Sequence, residues 1–432
     1  MNLSPGHFSS TTGLPTQSVV PVVVQQHAED AAVLYTVRVS LIRAAHVRLL
    51  HLGRFDDRLA AHLDGLVVAG DAAWSLCQAE LEAPTPGKVF AAVVPLIERQ
   101  HLEPLDQIYA LAEAVPPAQR GVIAALAWVE QNKLQGVVAA LLSSTSAMHR
   151  TIGIAVCAAH RIDPGKAREA ALQDSGTALR ARALRATGEL GRRDLLPTCV
   201  ESLKAEDLES RFWAAWSAIL LGNRSAAVEA LVELSQHPGQ FRDRAYRLAL
   251  QALEQDDAQG LLRQLAQVPE NQRLVIQGSG IAGDPSYVPW LIQHMADQKT
   301  ARLAGEAFSL ITGLDLAYLD LDRKPPETIE AGPNDDPNDP NVDMDPDDGL
   351  PWPDPDRITN WWNANGSHFA AGTRYFMGAP VTRENCVRVL KEGFQRQRIL
   401  AAHYLCLMQP GTPLFEWRAP VWRQRSVLAT MD

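Results

Sequence analysis

The sequence predicts an all-α chain built as a solenoid of stacked helical hairpins, and three observations lead to it. Ala and Leu dominate a composition with 6% aromatic residues, which favours helix over strand. The alternation of period two that marks strands is nearly absent. Apolar segments ending in small or polar turns recur near His160, Gly191, Gly222, Gln255 and Gly283, about 30 residues apart. A hairpin of that size cannot bury both faces alone, so neighbours must stack into one continuous core.

Taken in order, residues 1–20 are rich in Ser, Thr, Gly and Pro and read as a flexible N-terminus. Residues 21–86 form an N-terminal helical region, with apolar residues at a spacing of three and four through Leu41, Ile42, Ala45 and Leu49. A second helix is expected over 56–68, and a third starts near Asp71, read as its N-cap. Residues 87–314 hold the repeat, about six or seven hairpins of ~30 residues, with Pro164, Pro197 and Pro285 suited to the first turns of second helices. Residues 315–356 form a long acidic loop rich in Pro and Asp, too polar and too like-charged to pack a core. Residues 357–432 return to helical texture as a C-terminal helical cap. There Thr382 and Asn385 bracket one helix start, and a last long helix covers 394–408.

The 432 residues include 46% hydrophobic and 21% charged side chains, a globular balance that excludes disorder throughout. Apolar runs fall short of the ~18–20 residues of a membrane span. The stretch from Val19 to Val24 contains Pro21 and has no basic lead, so no signal peptide is expected. Five scattered cysteines without CxxC spacing suggest reduced, buried thiols in a cytoplasmic protein. The net charge of −10 is concentrated. Between Asp315 and Asp356 stand 14 acids against Arg323 and Lys324, a net −12, whereas the remaining 36 acids and 38 bases give +2. That balance disfavours nucleic-acid binding by bulk charge and favours a basic protein partner.

Each motif has a plainer reading beside the functional one. Gly278, Gly280 and Gly283 satisfy GxGxxG, but no strand precedes them, so turn and close packing is the better reading. Asp343, Asp345, Asp347 and Asp354 faintly resemble a calcium loop whose glycine is displaced to Gly349, so no metal is assigned. His46, His51 and His62 share helical surroundings without zinc spacing. No nucleophile elbow and no Walker loop occur, so neither catalytic residues nor cofactors are expected. Arginines cluster at Arg180, Arg182, Arg185, Arg192 and Arg193, and again at Arg242, Arg244 and Arg247. They are read mainly as ion-pairing with Glu189, Glu201, Glu206 and Asp243. Trp213 and Trp216, three apart, suit a core. Trp361 and Trp362, being adjacent, cannot share a helix face, which leaves one free to anchor a partner. The partner-binding candidates are thus Asp335, Asp336, Asp339, Asp343, Asp345, Asp347, Asp348, Trp361 and Trp362.

The run from Gln26 to Ala32 (QHAEDAA), the stretch from Ala61 to Trp74 (AHLDGLVVAGDAAW), the repeat itself and Trp361-Trp362 together resemble a family of bacterial HEAT-like repeat proteins. Its members are often encoded beside type VI secretion genes. The resemblance implies a HEAT-like α-solenoid that acts as an immunity protein against a secreted toxin, nucleases being among the effectors implied, or as an adaptor for such an effector. It brings no catalytic residues. The expected partner is a basic toxin domain, with the Asp-rich segment mimicking phosphates, and neither direct nucleic-acid nor membrane contact is expected. A third reading, a HEAT-like nucleic-acid-binding protein or DNA glycosylase resembling the alkylpurine glycosylases, predicts a face of arginines with aromatic and carboxylate residues among them.

Overall fold

The computed structural model describes residues 19–326 and 345–431. The chain divides into two compact units, unit 1 of Met1–Tyr35 and Leu59–Ala125 and unit 2 of Thr36–Arg58 and Leu126–Asp432. The described residues form twenty-two α-helices and two ladders of two residues per strand. The first six helices are α1 (Pro21–Leu41), α2 (Leu49–Ala69), α3 (Asp71–Glu80), α4 (Pro86–Glu98), α5 (Leu105–Ala114) and α6 (Ala118–Trp128). Within unit 1, α4 is buried from Val89 to Ile97, and Phe90 stacks on Tyr35 at 4.4 Å. Thr85 caps α4 by accepting from the Lys88 amide, with Pro86 in the first turn. Asp71 is the first residue of α3 rather than its cap, and Gly70 at φ 64° precedes it.

Unit 2 continues with α7 (Val137–Ser143), α8 (Ala147–Ala159), α9 (Lys166–Leu172), α10 (Thr177–Glu189), α11 (Leu196–Glu201) and α12 (Leu208–Leu220). Next come α13 (Ala226–Gln236), α14 (Arg242–Ala252), α15 (Gln255–Leu265), α16 (Gln272–Ala282), α17 (Val288–His294) and α18 (Ala301–Thr312). Long first helices alternate with second helices, and α8, α10, α12, α14, α16 and α18 pack side by side as one layer. The helix α12 shows why. Asp207 caps it by accepting from the Ser210 amide at 2.7 Å, and ten of its thirteen residues are buried. Only a layer packed on both sides offers that burial, with Phe212 alone contributing about 1.5–3 kcal/mol. The all-α solenoid expected from the repeat is therefore the fold, and α8, α10, α12 and α16 end within two residues of the expected turns.

The glycines of the GxGxxG sequence serve packing. A side chain at Gly280 would stand 2.7 Å from the Ala307 Cα, so the close approach of α16 and α18 at this point needs a glycine. Gly283 takes φ 72° as α16 ends, and its carbonyl accepts from the Tyr375 amide at 2.8 Å.

After α18 come β1 (Asp322–Arg323) and β2 (Trp352–Pro353), an antiparallel pair with Asp322 opposite Pro353. Then follow α19 (Pro355–Asn365), β3 (Tyr375–Phe376) paired with β4 (Ala379–Pro380), α20 (Arg383–Glu392), α21 (Gln395–Met408) and α22 (Val421–Leu428). Asp354 caps α19, and Thr382 caps α20 by accepting from the Asn385 amide. This C-terminal region runs back along the row of repeat turns. The Met377 amide donates to the Leu310 carbonyl at 2.6 Å and the Leu414 amide to the Glu189 carbonyl at 3.0 Å. Arg423 reaches the Trp128 carbonyl at 3.2 Å. Along the way α21 packs on α12 and α14.

Candidate functional site

The repeat period sets the wall of a cavity in unit 2. Arg185, Trp216, Arg247 and Gln277 stand 31, 31 and 30 residues apart, and each occupies the same place on its first helix. Arg182, Trp213, Arg244 and Leu274 follow the same spacing one turn earlier. All of these but Arg182 line a cavity of about 700 Å³, which α21 and the segment after it border with Arg396, His403, Trp417 and Arg418. Eight arginines line it (Arg43, Arg185, Arg242, Arg244, Arg247, Arg273, Arg396 and Arg418) against four carboxylates, those of Glu189, Asp243, Glu270 and Asp347.

Five of these arginines are satisfied within the chain. Arg185 donates from Nε to Glu189 at 2.9 Å. Arg418 reaches Glu189 at 3.3 Å and Glu416 at 2.7 Å. Arg242 donates to the Asn271 Oδ1 at 2.7 Å, Arg273 to Asp347 at 2.6 Å and Arg396 to Glu306 at 3.0 Å. The side chains of Arg43, Arg244 and Arg247 meet neither a hydrogen-bond acceptor nor a carboxylate among the described residues. Arg244 lies 5.9 Å above the Trp213 ring and Arg185 4.4 Å from it. Burial weakens the hold of these three guanidiniums on their protons; Arg418 beside Arg43, and Arg43 and Arg418 beside Arg244, add to it, whereas at Arg247 Glu306 opposes burial, Arg396 adds to it and Asp243 opposes it.

The chemistry here is anion binding. Burial alone would raise the Glu189 carboxyl, but Arg182, Arg185, Arg418 and Arg161 outweigh it and hold the group far below the usual carboxylate range. Glu189 therefore stays ionised and offers no proton. Gln251 donates to the Leu400 carbonyl through its amide nitrogen, so its oxygen accepts from the His403 Nδ1 at 3.2 Å. Burial, and then Arg418 and Arg247, push His403 down to about 4. His160 is also held near 4, first by burial and then by Arg423, which donates to its Nδ1 at 3.0 Å.

Both histidines are neutral in the fold but take up protons through about 6.5 once unfolded. Their contribution to stability is therefore complete above that pH and is lost as the pH falls toward 4, on the order of 2 kcal/mol each. Urea denaturation of the full chain between pH 7 and pH 4.5 should show this slope. A His160→Gln, His403→Gln double variant should lack it, even if it is weaker at neutral pH.

The sequence-derived candidates are placed as follows. Asp345 pairs with Arg302 at 2.7 Å, and buried Asp347 pairs with Arg273 while its amide donates to the Asp345 Oδ1 at 2.9 Å. Asp348 is exposed. Asp335, Asp336, Asp339 and Asp343 lie outside the described residues. Trp361 and Trp362 are half-buried, Trp361 set 6.0 Å from Phe308 and Trp362 5.5 Å from Phe369. Trp213 and Trp216 are in the core, as their spacing suggested, and meet edge to face at 5.4 Å while also lining the cavity. Of the clustered arginines, Arg182 and Arg185 pair with Glu189, Arg180 with Asp207 at 2.6 Å and Arg192 with Asp194 at 2.7 Å. His62 lies in unit 1 beside His27 at 3.2 Å, and in unit 2 the His51 Nδ1 accepts from the Arg48 amide. All five cysteines are free and buried. Sequence reasoning missed Arg43, Arg273, Arg396, His403, Trp417 and Arg418. Superposing the repeats by number would have shown the column of Arg185, Trp216 and Arg247, but not the residues contributed from outside the repeat.

Among the described residues no helix is long and apolar enough to cross a membrane. Residues 166–254, from α9 through α14 and so including much of the cavity wall, match the family model for HEAT repeats. Neither curated proteins nor solved structures give a match. The chain is an all-α HEAT-like solenoid, a repeat fold that commonly serves as a scaffold for binding proteins.

Proposed function

We propose that this chain is a non-catalytic scaffold that captures a partner protein by an anionic element seated in the arginine and tryptophan cavity of unit 2. One observation carries this reading: Arg43, Arg244 and Arg247 share that cavity without a side-chain hydrogen bond or ion pair among the described residues. Unpaired charge in a partly desolvated site costs free energy, and an incoming anion recovers it. The family resemblance makes the partner a toxin of a type VI secretion locus and the scaffold its immunity protein. Because Asp345 and Asp347 are engaged by the chain's own arginines, the cavity is favoured over the acidic segment as the seat of the partner. A nucleic-acid reading finds its arginines and aromatic groups here as well. Of the four carboxylates on the wall, Glu189 is locked by three arginines and Asp347 by Arg273, while Asp243 and Glu270 form no ion pair among the described residues.

The test is a pull-down of the tagged chain from cells expressing its neighbouring genes, followed by a toxicity assay on what is recovered. Capture of a toxin that has lost its activity is expected, and the Arg244→Gln, Arg247→Gln double variant should capture at least about tenfold less. An effector recovered fully active would support the adaptor role instead. Capture undiminished in the double variant would remove the cavity from the interface.

A further inference from the structure

We infer that the anionic group taken by this cavity is a phosphate rather than a carboxylate. The inference rests on the reading of the cavity as an anion-capturing site and names the chemistry of the anion. The guanidiniums that face the cavity without an ion pair come from two parts of the chain, Arg43 after α1 and Arg244 and Arg247 on α14, and Arg418, after α21, faces it from a third while paired with Glu189 and Glu416. Donors arriving from several directions suit a tetrahedral group that presents three terminal oxygens around one centre. A carboxylate offers two oxygens in a single plane and is met best by one planar fork.

Charge points the same way. Eight arginines face four carboxylates, and Glu306 and Glu416 behind the wall pair with Arg396 and Arg418, so an excess of two positive charges is left to balance. A phosphate ester brings about −1.5 to −2 on one group, whereas carboxylates must be desolvated one charge at a time. The chain supplies its own comparison. Asp243 and Glu270 line the same cavity, yet neither forms an ion pair with Arg43, Arg244 or Arg247. Asp243 acts on Arg247 only through its field, as Glu306 does, so no single carboxylate of the wall closes on these guanidiniums as an ion pair. The volume of about 700 Å³ exceeds what one phosphate fills, and Trp216 and Trp417 provide an apolar wall for whatever carries it.

Calorimetric titration of the full-length chain with inorganic pyrophosphate, beside citrate at matched ionic strength, tests this directly. Pyrophosphate is expected to bind at least about tenfold more tightly than citrate and to raise the melting temperature. The Arg244→Gln, Arg247→Gln variant should lose at least about tenfold in pyrophosphate affinity. Its melting temperature without ligand should change little, because those side chains give up no ion pair, and relief of repulsion from neighbouring guanidiniums offsets the lost Arg244–Trp213 contact and the field of Glu306 and Asp243 at Arg247. A phosphoserine peptide that outcompetes pyrophosphate would locate the phosphate on a partner chain, and the reverse order would point to a free phosphorylated compound. Citrate or an oligoglutamate peptide binding as tightly as pyrophosphate would overturn the phosphate assignment and leave anion capture standing. Binding of none of these would overturn both.

Discussion

Replacing Glu189 with Ala should destabilise unit 2 by about 3–5 kcal/mol, the range seen when one partner is removed from a buried ionic cluster. Glu189 is the last residue of α10 and is 2% exposed. Its carboxylate accepts from Arg182, Arg185 and Arg418, and only Arg418 has a second carboxylate, Glu416, within reach. The loss therefore strands positive charge in a wall that already carries an excess of it. Glu189→Gln keeps the shape and one acceptor but removes the charge, so it should fall between wild type and Ala. Pyrophosphate should recover part of the loss in both variants by binding the folded state. Urea denaturation at neutral pH with and without pyrophosphate measures all of this. A loss below about 1 kcal/mol for Glu189→Ala would mean that water or rearrangement satisfies the three guanidiniums, and the cluster would no longer count as a structural element.

That cluster also marks where the sequence stops being informative. The hairpins were legible because a repeat of about 30 residues forces each helix to find its partner among near neighbours, and the turns at His160, Gly191 and Gly283 announce themselves by residue type. Ion pairs between adjacent repeats belong to the same scale, as with Arg180 and Asp207. The cavity does not. Its wall is completed by Arg396, His403 and Arg418, which come from a C-terminal region without a period, laid along the turns by single hydrogen bonds such as that of the Leu414 amide. The acidic segment behaves similarly. Its composition suggests solvent, yet the turn at Asp345 and Asp347 folds back because Arg302 and Arg273, carried on α18 and α16, make two buried or half-buried carboxylates affordable. The pair Trp361 and Trp362 could not be apportioned from adjacency alone, since Phe369, beyond the end of α19, packs near both rings.

The second large effect is expected at Asp56. Its carboxylate is fully buried and accepts from the Arg38 Nε at 2.6 Å, the Arg38 Nη2 at 3.1 Å and the Val421 amide at 2.8 Å. Arg38 in turn donates to the carbonyls of Arg418 at 2.9 Å and Ala419 at 3.0 Å and lies 5.3 Å over Trp128. One ionic pair thus fixes the backbone on which Arg418 is carried. Asp56→Ala leaves a buried guanidinium and a buried amide unsatisfied, and it should lower stability by about 3–5 kcal/mol. Replacing both partners, Arg38→Met with Asp56→Leu, should cost far less, because neither variant side chain leaves a charge behind. The same pair of variants separates stability from function. If the Arg38 contact positions Arg418 for the anion, pyrophosphate affinity should fall in the stable double variant as well as in Asp56→Ala. If affinity is retained in the double variant, Glu189 and Glu416 alone suffice to hold Arg418 at the cavity, and the knot at Asp56 serves folding only.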